Sequence, residues 1–365
     1  RLCARRFLAV KRPAMHATIE QLEIFATALL KGAGLENDKA TTLAHLLVLT
    51  DALGRRTHGL AMVPLYLAEL AKGTMSKSGE PEVVKQRGVV ALWDGGYLPG
   101  QYVVARAIDW ALPRAAENGI AAVTIRRSHH IGCLAALALR AVEKGFVALI
   151  ANSDPAGARV APYGGTEALF TPDPFAIGYP GTPNPVLVDI CASITTTSMT
   201  RQKVAEGAQF DQPWLLDHEG KPTTDPRVLE HSTPRGSLQL IGGLDHGHKG
   251  FGLALMVEAL SQGLAGHGRA DAPKRWGGNT YLQVIDPELF AGRDEFARLM
   301  DHFGARCRSS KPIDAARPVR LPGDSAARSL ASARRDGIDY DDATRAALQR
   351  CAREFGVASP LKETA

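Results

Sequence analysis

The sequence predicts an α/β protein: helices open the chain, strands and helices alternate through its middle, and a closing helix packs back on the opening ones. Three observations carry this expectation. Apolar residues recur at helical spacing from Thr18 to Lys72 and again from Asp341 to Phe355. The pattern turns to period two after Gly79. Between Gly119 and Pro155, two short apolar runs closed by turn formers flank a helical pattern, which makes a strand, helix, strand unit.

Taken in order, Thr18-x-x-Gln21 is a capping box opening a helix to Leu30, with Leu22, Phe25, Ala26, Leu29 and Leu30 on one face. Asn37 is the expected cap of a second helix that stops at Gly54, and a third is expected over 59–72, with Pro64 in its first turn or at a kink. Residues 82–86 and 89–93 read as a hairpin and 100–116 as a helix facing the sheet. In the central unit the strands are 120–125 and 146–151, and the helix carries Ile131, Leu134, Ala135, Ala138 and Val142 and stops at Gly145. Strands at 175–179 and 186–190, a polar loop over 214–226, an apolar helix over 253–264, a strand at 280–285 and a helix over 293–303 follow. In the last helix Leu348, Ala352 and Phe355 face the N-terminal helices.

Composition excludes several classes of function. The net charge of +5 rests on Arg1, Arg5, Arg6, Lys11 and Arg12; without those five, 38 basic residues face 38 acidic ones, so nothing in the charge argues for a nucleic-acid partner. Residues 1–14 lack the apolar core and cleavage site of a secretory signal and are set apart from the fold, as a leader or as residues added upstream of Met15. Cysteines 3, 133, 191, 307 and 351 are scattered and odd in number, which predicts reduced thiols in a cytoplasmic protein. No apolar run approaches the roughly 18 residues of a membrane span.

Chemistry-bearing residues stand at three joints. Ser128-His129-His130 lies where a strand gives way to a helix, a place where unpaired N–H groups attract anions and a histidine can trade a proton near neutral pH. Capping of the helix is the alternative there. Thr57-His58-Gly59 lies at a joint between helices. Gly242 to Gly252, with Lys249 just ahead of an apolar helix, has the makings of an anion site but not the spacing of a Walker loop, and no GxGxxG follows any strand.

Seven markers in this order resemble the malate/L-lactate dehydrogenase family that lacks the Rossmann fold. They are Thr57-His58-Gly59 for the family's Ser-His-Gly, Ser128-His129-His130-Ile131-Gly132 for Ser-Asn-His-Phe-Gly, and 160–165, 188–193, 222–226, 248–253 and 321–324. The resemblance implies a sulfolactate-dehydrogenase-like, non-Rossmann fold in which a mixed sheet domain (79–314) is inserted between helical segments (15–78 and 315–365). It implies oxidoreductase activity with NAD or NADP, between 2-hydroxy acids or related amino acids and 2-oxo acids or cyclic imines, usually in homodimers. On the same footing His58 is the proton donor assisted by Thr57, and His130 is a second acid–base group near the nicotinamide with His129 beside it. The resemblance further implies that Ser153, Asp189, Ile190, Cys191, Ser193, Lys249, Gly250, Pro322, Gly323 and Asp324 hold the cofactor, as His129 and His130 do.

This chain departs from the pattern where the substrate sits. Met62 stands where relatives commonly carry an arginine that clamps the substrate carboxylate, and Arg56 replaces a residue that is usually acidic. The expectation is that Arg56, or Arg55, binds the carboxylate from the opposite side, since a guanidinium offers bidentate geometry. Pro172-Asp173 and Met199 are further departures. Two alternatives stay open at this stage: a nucleotide-binding, catalytically silent dimer, and a metal-dependent hydrolase using His129, His130, His246 and His248.

Overall fold

A computed structural model of the chain describes residues 16–361; the expectation for residues 1–14 lies outside them. The chain opens with helices α1 (Ile19–Gly32), α2 (Asn37–Ala52) and α3 (Val63–Lys72). It closes with α11 (Asp324–Asp336) and α12 (Asp342–Phe355). The two sets share one apolar core, in which Leu22, Leu29, Leu43, Leu47, Tyr66 and Leu70 meet Ala333, Tyr340, Leu348 and Ala352. A single bridge, Ala17 to Ile338, ties the ends together.

Between them lies a seven-stranded mixed sheet with helices α4 (Gly100–Asn118) and α5 (Leu134–Val142). Its strands are β1 (Glu82–Arg87), β2 (Val90–Asp94), β3 (Ile120–Ser128), β4 (Val147–Ser153), β5 (Phe175–Tyr179), β6 (Val186–Ile190) and β10 (Gly278–Ile285), ordered β1-β2-β3-β10-β4-β5-β6. Only β2 and β3 pair in parallel. The late strand β10 is antiparallel to both β3 and β4 and so separates the two strands of the central unit.

Connecting β6 to β10 are α6 (Thr197–Ala205), a small sheet of β7 (Leu215–Leu216), β8 (Pro222–Thr223) and β9 (Ser237–Leu238), and the single turn α7 (Arg227–Glu230). Next come the turn α8 (Gly243–His246) and helix α9 (His248–Glu258), which ends in a π-turn over Ala259–Gly263. After β10 runs α10 (Arg293–Arg308).

Several expectations need adjustment. Glu36, not Asn37, occupies the N-cap position of α2. The third helix begins at Val63, because residues 56–62 form two 3-10 turns and Pro64 sits in the first α turn. Ile131 precedes α5 rather than lying in it. The apolar helix expected over 253–264 starts five residues earlier, at His248. No helix of the described residues is long and apolar enough to cross a membrane.

Candidate active site

The strand register brings one end of the large sheet together from distant parts of the sequence. Ser128 at the end of β3 pairs with Gly278 at the start of β10, and Asn279 pairs with Ser153 at the end of β4. Phe175 opens β5 opposite Ile190, which ends β6. The loops leaving this end therefore carry His129 and His130, Asp154, Asp173, Cys191 and Trp276, and the helical domain adds Thr57 and His58.

His58 sits on the first 3-10 turn, with its Nδ1 3.0 Å from the Thr57 hydroxyl. Its ring stacks on His130 (centroids 5.9 Å apart, planes 27° apart), and His130 stacks in turn on Trp276 (5.1 Å, 29°). The turn is pinned from below by the buried carboxylate of Asp51, whose Oδ2 accepts the Leu60 N–H and the Tyr340 O–H, each at 2.8 Å. Gly59 is required here, because a Cβ at that position would lie 2.0 Å from Asp51 Oδ1.

His130 is held at its edge as well as its faces. Gln101 Nε2 donates to the Tyr66 hydroxyl at 2.9 Å, and that hydroxyl stands 2.7 Å from His130 Nδ1. Tyr66 is fully buried, so its proton points to the imidazole nitrogen, which places the His130 proton on Nε2. Burial, then the neighbouring His58 and His129, holds His130 well below the ordinary imidazole range. Burial likewise depresses His129, to about 4, against the opposing charge of Glu69, whose Oε2 is 3.7 Å from His129 Nε2. His58 is lowered by burial and by Arg55, with Asp189 pulling the other way. All three rings are thus neutral at pH 7.

The groups expected to hold a cofactor divide into two sets. Asp189 accepts the Ala135 N–H at 3.0 Å and faces Cys133 Sγ at 3.5 Å, so the α5 N-terminus expected to attract an anion is already served by this side chain. Ser153 is buried and bonded to Glu258 Oε1 (2.7 Å), Gln262 Nε2 (3.0 Å) and Arg269 Nη2 (3.2 Å). Ser193 donates to the Thr195 carbonyl. Pro322 and Asp324 serve the outer strand: the Pro322 carbonyl accepts the Leu187 N–H, and Asp324 forms a two-pronged pair with Arg308 that lowers its carboxyl to about 2. Gly323, at φ +104°, packs against the Pro185 carbonyl in the same place.

Lys249 and Ile190 are exposed, and Cys191 is half-buried. The first turn of α9 lies against the end of β6, because Gly250 packs on Ala192 and Ile241, where a Cβ would come within 2.8 Å of the Ala192 carbonyl. An exposed ammonium at a helix start, beside a strand end, is a donor set that fits the phosphates of a dinucleotide.

The two arginines expected at the substrate carboxylate are held differently. The Arg56 guanidinium donates to the Asp339 carbonyl at 2.7 Å and lies over the Tyr340 ring, so it is tied to the C-terminal segment. Arg55 is exposed, one turn from His58, and its charge acts on His58, Cys133 and Cys191. Met62 is half-buried against the helical core, and Met199 is exposed on α6. Asp173, one of the departures from the family pattern, is buried beside the Thr171 hydroxyl, and burial raises its carboxyl well above the ordinary range.

Sequence reasoning passed over Asp51, Tyr66, Gln101 and Trp276. The loop carrying Trp276 is fixed by Arg275, which stacks on Tyr97 (3.9 Å) and donates to the Thr74 and Gly73 carbonyls. A tryptophan beside two glycines was the only local signal. For the hydrolase alternative, no three His, Cys, Asp or Glu side chains among the described residues stand together as metal ligands. His246 and His248 pack instead on each other and Tyr163.

Residues 17–349 match the family model described as malate/L-lactate dehydrogenase. The chain is 29% identical over 345 residues to hydroxycarboxylate dehydrogenase B of Escherichia coli, covering 93% of this chain and 94% of that protein. Among solved structures, sulfolactate dehydrogenase of Methanocaldococcus jannaschii superposes with a TM-score of 0.81 at 25% identity, covering 94% of this chain and 98% of that one. The Δ1-piperideine-2-carboxylate reductase of Pseudomonas syringae does so with a TM-score of 0.80 at 26% identity, covering 92% and 99%.

Proposed function

Since this chain belongs to the malate/L-lactate dehydrogenase family and is an oxidoreductase acting on CH–OH groups, we propose that it interconverts a 2-hydroxy acid and a 2-oxo acid, or a related amino acid and cyclic imine, with NAD or NADP. His58 exchanges the proton. The observation that carries this reading is the His58 ring itself: half-buried, steadied at Nδ1 by the Thr57 hydroxyl and stacked on His130, it keeps Nε2 for the reacting oxygen.

When bound, the nicotinamide supplies or accepts the hydride at C2. The chain's own residues do the rest. Lys249, with Gly250 letting α9 close on the end of β6, serves the cofactor phosphates, and Ile190 and Cys191 flank them. In the oxidative direction neutral His58 takes the hydroxyl proton at Nε2 while Thr57 accepts from Nδ1–H. In the reductive direction the imidazolium returns that proton as negative charge develops on the oxygen. His130, neutral and protonated at Nε2, acts as a fixed hydrogen-bond donor rather than as a base. Arg55, left unengaged where Arg56 is tied to Asp339, receives the substrate carboxylate. Exposed Ile241, Leu244, Leu255, Met256 and Leu264 on and around α9 support a homodimer.

The experiment is a reduction screen with both cofactors across pyruvate, oxaloacetate, branched and aromatic 2-oxo acids and cyclic imines, followed at 340 nm, with light scattering for the dimer. Turnover of at least one class is expected. Nucleotide-induced thermal stabilisation with no absorbance change for any of them would leave a silent nucleotide binder instead.

A further inference from the structure

A cavity of about 340 Å³ lies between the chain over 158–168 and the segments flanking the small β7-β8-β9 sheet, and none of its lining residues belongs to the histidine cluster. Two guanidinium groups line it, those of Arg159 and Arg235, with Thr166 and His218 beside them and Glu167 as its one acid. Arg159 is half-buried, and Arg235 is exposed. Among the described residues neither guanidinium has a carboxylate or carbonyl within hydrogen-bonding or ion-pairing distance. Arg227 and Arg308, by contrast, are matched to Asp225 and Asp324.

The surroundings do not balance this charge. Burial, then Arg235, and further on Arg201, disfavour the charged form of Arg159 and lower it from its ordinary value, with only Glu230 opposing. Glu230 is itself shared with Arg201, whose Nε lies 3.5 Å from its Oε1. A partly buried, uncompensated cation is costly unless something neutralises it. Paired guanidinium forks with a hydroxyl and an imidazole are the donor set that holds a compact tetrahedral oxyanion.

We propose that this cavity is a binding site for a phosphate group, either free phosphate or the phosphate of a small phosphomonoester, separate from the dehydrogenase site and independent of the reading given to it.

The test uses the full-length protein without nicotinamide nucleotide. Binding of inorganic phosphate and of glycerol phosphate is measured by calorimetry and by thermal shift, against chloride at matched ionic strength. Saturable binding is expected, weakened about tenfold or more in Arg159→Gln and in Arg235→Gln, since a charge-assisted hydrogen bond carries roughly that much. Arg227→Gln, whose partner lies outside the cavity, is expected to bind as the parent does. Arg235 is exposed, so its variant answers the question even where Arg159→Gln fails to fold. Tighter binding of the monoester assigns the site to a phosphorylated metabolite, and tighter binding of inorganic phosphate assigns it to the free ion; both uphold it. No saturable binding beyond that of chloride, or binding in both cavity variants as tight as the parent's, overturns it.

Discussion

Asp51→Asn isolates the cost of the carboxylate that shapes the His58 turn. Asp51 is 2% exposed, and burial raises its carboxyl from the ordinary 3.8 to about 6, against the pull of the Leu60 N–H, the Tyr340 hydroxyl and the Arg56 charge. Because the folded value is the higher one, the folded chain holds this proton more tightly than the unfolded chain does. The associated stability is complete below pH 3.8 and is lost as the pH rises through about 6. At about 1.4 kcal/mol per pH unit, that gap corresponds to about 3 kcal/mol. Asparagine keeps an acceptor for the Leu60 N–H and carries no charge. Whatever constant offset it introduces, the stability of the variant relative to the parent therefore grows by about 2 kcal/mol between roughly pH 4 and pH 7, the remainder of the gap lying below pH 4. Guanidinium unfolding followed by tryptophan fluorescence at pH steps across that range measures the difference directly. A difference that stays flat to within about 0.5 kcal/mol, the resolution of such extrapolations, refutes the assignment of a charged, unrelieved carboxylate under the turn.

Other outcomes follow from the same geometry. His58→Gln lowers kcat/KM by about 10²- to 10⁴-fold while nucleotide-induced stabilisation persists, and loss of both together would speak against a role confined to proton transfer. Since burial lowers His58, oxidation rises with pH through a value below 6.5 and reduction falls through it; a controlling pKa above 6.5 in the free enzyme would exclude this group. Arg55→Gln raises KM for 2-oxo acids about 10- to 100-fold, the range of a charge-assisted bond, and Arg56→Gln leaves it unchanged; the reverse pattern would return the carboxylate to Arg56. Tyr66→Phe leaves Gln101 Nε2 and His130 Nδ1 unpaired, so it costs about 1 to 3 kcal/mol in unfolding and lowers kcat more than it raises KM. Unchanged stability would show that the Tyr66 proton is not committed to His130.

Much of the fold was legible because its apolar residues are punctuated. β5 and β6 occupy the stretches expected of them, bounded by Pro174 and Pro180 and by Pro185 and Cys191, and the Thr18–Gln21 box closes reciprocally. The helices missed are the polar ones. α6 buries only Thr200 and leaves no apolar stripe to read, and the stripe of α11, Ala326, Leu330 and Ala333, is thin and set among charged residues. Sheet order is a different kind of loss. Nothing local to 120–151 announces that β10, some 130 residues later, enters between β3 and β4. The site divides on the same line. Thr57, His58, His129 and His130 stand in motifs, whereas Tyr66, Asp51 and Trp276 reach them through packing between elements that periodicity describes one at a time. The tie of Arg56 to the C-terminal segment is out of sight for a related reason: its partners Asp339 and Tyr340 lie more than 280 positions away, where no pattern around residue 56 points.

The charge balance around His58 bears on how a neutral ring can donate a proton. The three adjacent imidazoles are held below their ordinary range, chiefly by burial. Asp189, whose charge favours protonation of His58, divides its effect with the α5 N-terminus that it caps, and Arg55 opposes it. On the proposed reading a substrate carboxylate placed on Arg55 removes that opposition and adds a negative charge within reach of His58, so both changes raise the imidazole. Protonation of His58 then accompanies binding of an anionic substrate. The reductive reaction would show a higher pKa in kcat than in kcat/KM, and Arg55→Gln would bring the free-enzyme and bound values together. A neutral ester of an accepted 2-oxo acid, reduced with the same pKa in both parameters, is the direct control. Equal separation of the two values for acid and ester would detach His58 from the carboxylate altogether.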